Sequence, residues 1–279
     1  MASPDATPAA VQFAEFEYGG RIVSLEYSRI FPENSGPLVV FLHEGLGSLK
    51  MWRGFPQALC SAVGCRGLVF SRAGYGESSP FWPDRRWPVE FMHVEARELL
   101  PRFLSAVGID TTRDPPVLLG HSDGASIALI YAASFPLQLS GLITAAPHIF
   151  VEDLTVASIA QIRQKFIDTD LPRRLQKYHR DAERVFWGWA GVWLNPDFLH
   201  WNIEPLLEDI VCPVLAVQGY DDEYGTMRQI DGIHGAIGRT QLIKLESCGH
   251  SPHLDQPGPL IAGVAEFLSS LPNNSRAAR

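Results

Sequence analysis

Gly120-His121-Ser122-Asp123-Gly124 fits the pattern G-x-S-x-G, and its flanks decide how it is read. Residues 116–119 before it are the apolar run Pro-Val-Leu-Leu, and residues 125–133 after it read as helix. A strand that turns sharply into a helix holds its apex residue in a strained backbone conformation and pushes the side chain clear of the sheet. Glycine at 120 and 124 suits this turn, because a Cβ at either place would collide where strand and helix pass closely. A serine at such an apex reads as a nucleophile, whereas an ordinary turn serine needs none of this context.

A serine hydroxyl is a poor nucleophile until an imidazole takes its proton. The imidazole must be held in one tautomer by a carboxylate that also stabilises its cationic form. Both groups lie downstream. Residues 214–218 (Val-Leu-Ala-Val-Gln) read as a buried parallel strand ending in Gly219-Tyr220-Asp221-Asp222-Glu223. Residues 241–245 read as the next strand, followed by Ser247-Cys248-Gly249-His250-Ser251-Pro252-His253.

Serine, acid and histidine in this order, each after a strand, resemble the α/β-hydrolase fold superfamily, and the resemblance covers nearly the whole chain. It implies Ser122, Asp222 and His250 as a catalytic triad, with Asp222 preferred over Asp221 because the family's acid stands three residues after the glycine. Two further stretches are similar to family motifs. Val39-Val40-Phe41-Leu42-His43-Glu44-Gly45-Leu46-Gly47 resembles the strand and His-Gly oxyanion loop. Phe70-Ser71-Arg72-Ala73-Gly74-Tyr75-Gly76-Glu77-Ser78 resembles the Gly-rich loop after the neighbouring strand. One residue departs from the pattern: Glu44 stands where the family usually has Gly. The resemblance then implies the N–H groups of Gly45 and Asp123 as oxyanion donors, with Leu46 the alternative to Gly45. Among its members the chain looks most like capped small esterases, meta-cleavage-product hydrolases and proline-iminopeptidase-like enzymes.

The 279 residues are 46% hydrophobic, enough for one large α/β domain whose core needs no staples. A formal net charge of −8 argues against a nucleic-acid or anionic-membrane partner. Cys60, Cys65, Cys212 and Cys248 have no metal spacing and read as free thiols of a reducing compartment. Cys248, two residues before His250, reads as a packed bystander. No metal or cofactor is expected. Residues 1–10 lack the basic start and apolar run of a signal peptide, and no run reaches the ~18 apolar residues of a membrane span. The expectation is a cytoplasmic protein acting on a small molecule, with a homodimer left open.

Along the chain, 1–10 and 272–279 read as disordered ends. Residues 11–29 alternate around Gly19-Gly20 as an edge hairpin. Strands are expected at 38–43, 67–71, 116–120, 139–145, 213–218 and 240–245. Helices are expected at about 51–63, 88–107, 123–135, 226–237 and 256–270. This alternation means a mostly parallel sheet of about eight strands, covered by helices on both faces. The core is assigned to 11–146 and 209–271. Residues 147–208 interrupt the pattern with helical periodicity and hold four of the seven tryptophans: Trp187, Trp189, Trp193 and Trp201. The family inserts a helical cap there. Trp187 and Trp189, with Leu46 and His148, are the candidate substrate contacts.

His43 reads as a brace of the oxyanion loop and His253 as structural. Arg72 ends a strand beside the one ending at Glu44, so the two side chains are expected to pair. The expected chemistry is hydrolysis of a small ester through an acyl-enzyme. The alternatives are hydrolysis of a C–C bond in a ring-cleavage dienoate, amide cleavage, a cofactor-free oxygenase, or a ligand receptor on the same fold. Haloalkane dehalogenases and epoxide hydrolases carry Asp at the nucleophile, so Ser122 argues against both.

Overall fold

The computed structural model describes residues 10–81 and 87–272. The expected disordered ends lie almost wholly outside the described residues. Eight strands form one sheet: β1 (Gln12–Tyr18), β2 (Arg21–Ile30), β3 (Leu38–Leu42), β4 (Arg66–Phe70), β5 (Val117–His121), β6 (Gly141–Ala145), β7 (Val214–Gly219) and β8 (Thr240–Leu245). Their spatial order is β1-β2-β4-β3-β5-β6-β7-β8. The hairpin β1–β2 and its join to β4 are antiparallel, and every other pair is parallel. β3, β5, β6 and β7 are buried throughout, as strands covered on both faces must be. β1 buries only Ala14 and β2 buries Val23, Leu25, Glu26, Ser28 and Ile30, so the edge hairpin is far less enclosed than the parallel strands.

Helices cover both faces. α1 (Phe55–Val63) follows β3. α2 (Phe91–Val94) and α3 (Leu100–Ala106) are joined by a π turn at Glu95–Leu99. The sequence pattern read these as one helix over 88–107, because an extra residue in a turn leaves the apolar stripe almost in register. α4 (Asp123–Ser134) follows β5 and is buried on nearly every side. α5 (Asp153–Asp168), α6 (Leu171–Leu175) and α7 (Ala182–Trp193) lie between β6 and β7, followed by two 3-10 turns. α8 (Arg228–Ala236) joins β7 to β8. The last helical stretch is broken into α9 (Pro252–Asp255) and α10 (Pro257–Ser270), each opened by proline at its first turn.

Two apolar clusters sandwich the sheet, one reaching from β2 and α3 across α4 to α7, the other joining α1 and α10. The segment between β6 and β7 is tied to the β7–α8 loop by polar contacts. Glu152, at the start of α5, accepts from the N–H and hydroxyl of Thr226 and from Gln229. The Thr155 and Ser158 hydroxyls donate to the carbonyls of Tyr224 and Glu223. Among the described residues no helix is long and apolar enough to cross a membrane.

Candidate active site

The carboxyl ends of β3, β5, β6, β7 and β8 meet around Ser122. Ser122 has φ 53 and ψ −121, the strained apex anticipated for a strand-to-helix turn. Its glycine neighbours allow the approach. A Cβ on Gly120 would stand 2.3 Å from the Gly124 carbonyl oxygen, and one on Gly124 would stand 2.2 Å from that of Leu42. The turn therefore delivers the Ser122 hydroxyl to the imidazole of His250, with Nε2 at 2.9 Å. His250 Nδ1 donates to Asp222 Oδ1 at 2.8 Å.

The carboxylate of Asp222 is saturated. Oδ1 also accepts from the N–H groups of Tyr224 and Gly225, and Oδ2 from the amide of Gln218 at 2.8 Å. Burial opposes ionisation of Asp222, but the His250 charge and these donors outweigh it and hold the group below its ordinary value. For His250, burial disfavours the imidazolium. The Asp222 carboxylate overrides this and raises the ring above its ordinary value. Asp221 is exposed, and its N–H is spent on the Cys248 carbonyl.

The model of the Alpha/beta hydrolase family matches residues 39–263, which run from β3 through the first half of α10. The chain belongs to the alpha/beta hydrolase family. It is 22% identical to the biotin biosynthesis bifunctional protein BioHC of Teredinibacter turnerae over 277 residues, covering 85% of this chain and 45% of that protein. It is 26% identical to the human serine hydrolase BPHL over 192 residues, covering 67% of this chain and 64% of BPHL. The chain thus spans less than two thirds of the length of these relatives. A thermophilic esterase from Thermogutta terrifontis shares the fold, with a TM-score of 0.69 and 19% identity over 94% of this chain and 98% of the esterase.

In this alpha/beta hydrolase the loop after β3 is built around one peptide unit. The Glu44 carbonyl accepts from His43 Nδ1 at 2.8 Å and from Arg72 Nη2 at 3.0 Å. The Gly47 N–H reaches the same carbonyl at 3.1 Å, and because C=O of residue 44 and N–H of residue 45 share a plane, these three donors also fix the direction of the Gly45 N–H. His43 Nε2 accepts from the Arg72 N–H, so its proton sits on Nδ1. Burial keeps the ring neutral, well below the ordinary histidine value. Among the described residues, the N–H groups of Gly45 and Asp123 have no acceptor within the protein. Gly45 tolerates no side chain, since a Cβ would stand 2.0 Å from Trp189 Nε1.

The expected pairing of the Glu44 and Arg72 side chains is not made. The guanidinium takes the Glu44 main-chain oxygen, stacks over the Tyr75 ring at 4.3 Å and lies 4.0 Å from the Asp123 carboxylate. The Glu44 carboxylate turns instead to His121, with Oε2 3.5 Å from Nδ1. Adjacent strand ends brought the residues together as anticipated, but β3's last residues carry the Glu44 side chain toward β5 and away from β4. Asp123 has a second partner in Trp193, whose Nε1 donates to Oδ1 at 3.2 Å. Burial nevertheless raises its carboxyl to about 6, against the pull of Arg72.

A cavity of about 240 Å³ opens over Ser122. Gly45, Leu46, Asp123 and His250 line its floor, and His148 one side. Thr155, Ile159, Trp189 and Trp193 line it from the helical segment. Trp187 does not reach it. It packs on Phe166 and Phe186, with ring centroids 5.6 and 5.3 Å away, and lies beneath Arg163. Helix geometry explains the correction. Residues 189 and 193 are one turn apart on α7 and share a face, whereas 187 is two positions from 189 and points to the opposite side. Trp193 was therefore the better partner for Trp189, and that spacing was legible in the sequence. Trp201 stacks on Phe198 at 5.3 Å, outside the cavity. His148 is buried, its Nδ1 meets no partner among the described residues, and burial lowers it to about 3, so it faces the cavity as a neutral ring. His121, Glu223, Tyr224 and Ser251 also line the cavity, and sequence reasoning gave none of them a role.

Proposed function

We propose that this protein is a serine hydrolase that cleaves a small, uncharged ester through an acyl-enzyme. The observation that carries the reading is the unbroken hydrogen-bonded line from Ser122 through His250 to Asp222 at the floor of a cavity. Ser122 attacks the carbonyl as His250 takes its proton. The developing oxyanion is met by the N–H groups of Gly45 and Asp123, and the proton passes from His250 to the leaving alcohol. Water, activated in turn by His250, releases the acid. The helical segment 147–208 is the cap, and Trp189, Trp193 and Ile159 exclude water from the reacting atoms.

Cavity chemistry favours an ester over a ring-cleavage dienoate. A dienoate carries a carboxylate that needs a cation, and no lysine or arginine lines the cavity among the described residues. Glu44 and Glu223 line it instead. Glu44 stays ionised: burial opposes its charge, but His121 outweighs that and holds the group far below the ordinary carboxylate range. An anionic substrate would meet the Glu223 and Glu44 carboxylates with neither a lysine nor an arginine to receive its charge. At about 240 Å³ the space also falls below the roughly 300–1,000 Å³ of drug-sized pockets, which points to short acyl or compact aromatic groups.

The test is a panel of p-nitrophenyl esters, lactones and dienoates with the native protein and Ser122→Ala. Short-chain ester turnover in the range of ~1 to 1,000 per second, abolished in Ser122→Ala, is the expected result. Turnover of dienoates above esters would overturn the ester assignment. Turnover of none of the panel, with tight binding of a small molecule, would favour a receptor.

A further inference from the structure

We propose that Glu44 and His121 form an ion pair, a carboxylate and a doubly protonated imidazolium, that holds the main-chain carbonyl of His250 and so positions its ring against Ser122. The inference rests on the reading of His250 as the general base.

The protonation follows from the partners of the two ring nitrogens. His121 Nε2 lies 2.6 Å from the His250 carbonyl oxygen, which can only accept, so Nε2 carries a proton. Nδ1 lies 3.5 Å from Glu44 Oε2 without a hydrogen bond, so the contact is one of charge. A neutral ring would then turn the Nδ1 lone pair toward a carboxylate, two acceptors facing each other in a buried site. A proton on Nδ1 removes that conflict and gives a pair of opposite charges. The 2.6 Å contact suits a donor on a charged ring, since charge-assisted hydrogen bonds are shorter than neutral ones. The ring end of the pair is closed to water, the His121 side chain being 1% exposed, while the Glu44 side chain is 22% exposed.

The surroundings agree. Glu44 comes from the loop after β3, and its carboxylate folds back over Gly47, where a Cβ would stand 2.5 Å from Oε2. That space exists only because residue 47 is glycine. Facing His121 from the other elements are Trp52, His250 and His253, with ring centroids at 6.3, 5.2 and 4.9 Å. Burial holds His253 neutral, at about 3, and His148 is neutral too, so neither ring competes with His121 for the Glu44 carboxylate. His250 is thereby gripped on three sides. Its N–H donates to Glu223 at 3.2 Å, its ring to Asp222, and its carbonyl accepts from His121. The glutamate at the position where the family pattern has glycine, and the histidine just before the nucleophile, thus serve one device. Both are positioning residues acting through His250.

The test uses ¹⁵N-histidine-labelled full-length protein, with His121→Gln to assign the His121 ring signals. At pH 7 both His121 nitrogens are expected in the protonated range, and in Glu44→Gln the ring becomes a neutral imidazole with its proton on Nε2. On a p-nitrophenyl ester, Glu44→Gln and His121→Gln each lower kcat by about 10- to 100-fold with KM little changed, the scale of a misplaced catalytic group. The double variant falls no further than the worse single, and Glu44→Asp recovers part of the loss. A neutral His121 in the native protein, or losses that multiply in the double variant, would overturn the proposal. If His121→Gln does not fold, the ring signal that changes in Glu44→Gln decides alone. Failure of the serine-hydrolase reading would instead show as full activity in Ser122→Ala, which leaves the His121 spectrum unaffected.

Discussion

On the proposed serine-hydrolase reading, replacing Asp222 with Asn separates the two duties of the carboxylate. In many triads the amide turns its NH₂ to the imidazole and traps the wrong tautomer, with a loss near 10⁴. Here three donors converge on Oδ1: His250 Nδ1, and the N–H groups of Tyr224 and Gly225. Only the Gln218 amide meets Oδ2. The asparagine oxygen therefore stays on the Oδ1 side, and Gln218 meets the new NH₂ with its unpartnered Oε1 only by giving up the bond from its Nε2 to the Gly225 carbonyl. The tautomer is kept and what is lost is charge. At 2.8 Å and an effective dielectric constant of 20, a carboxylate stabilises the imidazolium by about 6 kcal/mol at most. Part of that survives in the neutral hydrogen bond, so kcat should fall by about 10³- to 10⁴-fold, at about 1.4 kcal/mol per decade. Burial then acts on His250 against only the more distant charges of Glu223 and Glu44, and the acid limb of kcat/KM moves to lower pH, where the native limb lies above the ordinary histidine value. Initial rates on a short p-nitrophenyl ester from pH 5 to 9 read both effects. A limb that stays put or rises, or a loss under 10-fold, would refute the reasoning. So would an equal loss in Asp221→Asn, whose side chain is exposed.

Ser122→Ala should lower kcat by about 10⁶-fold and leave the melting temperature within a few degrees, checked by rates and calorimetry on the same sample. Gly124→Ala drives a Cβ to 2.2 Å from the Leu42 carbonyl, backbone that has nowhere to move, so the soluble yield should collapse; a well-folded variant would contradict the close strand–helix passage. Trp189→Ala should shift the preferred acyl chain to longer esters, cost about 3–5 kcal/mol in urea unfolding, and leave the His250 pH limb in place. Acid should destabilise the fold. His43, His93, His148, His179 and His253 have folded values depressed by burial, so the stability they contribute is whole above about pH 6.5 and is lost as pH falls. Glu95 and Asp123, raised to about 7 and about 6 by burial, act with the opposite sign between about pH 4 and 7 and offset part of that loss. Urea midpoints should therefore decline below about pH 6.5 and more steeply below about pH 4.5, and a flat profile would exclude the neutral rings.

Much of this molecule follows from short-range rules acting on the sequence. Strand, tight turn and helix around Ser122 are dictated locally, because apolar runs and glycines at 120 and 124 leave the chain few other paths. The alternation of strands and helices bounds the sheet topology, since crossover connections take one hand. The order of Ser122, Asp222 and His250 is legible for the same reason: each follows a parallel strand, and parallel strands deliver their carboxyl ends to one edge. Side-chain direction is another matter. Whether Glu44 meets Arg72 or His121 depends on the rotation of a loop between two equidistant strand ends, and no local propensity sets it. The π turn at Glu95–Leu99 was hidden because it barely disturbs the apolar stripe. Which tryptophans roof the cavity required the face of α7 that looks onto Ser122, a choice made by packing. The charge states of His148, Asp123 and Glu44 come from burial and neighbours far apart in sequence, so only the assembled tertiary structure decides them.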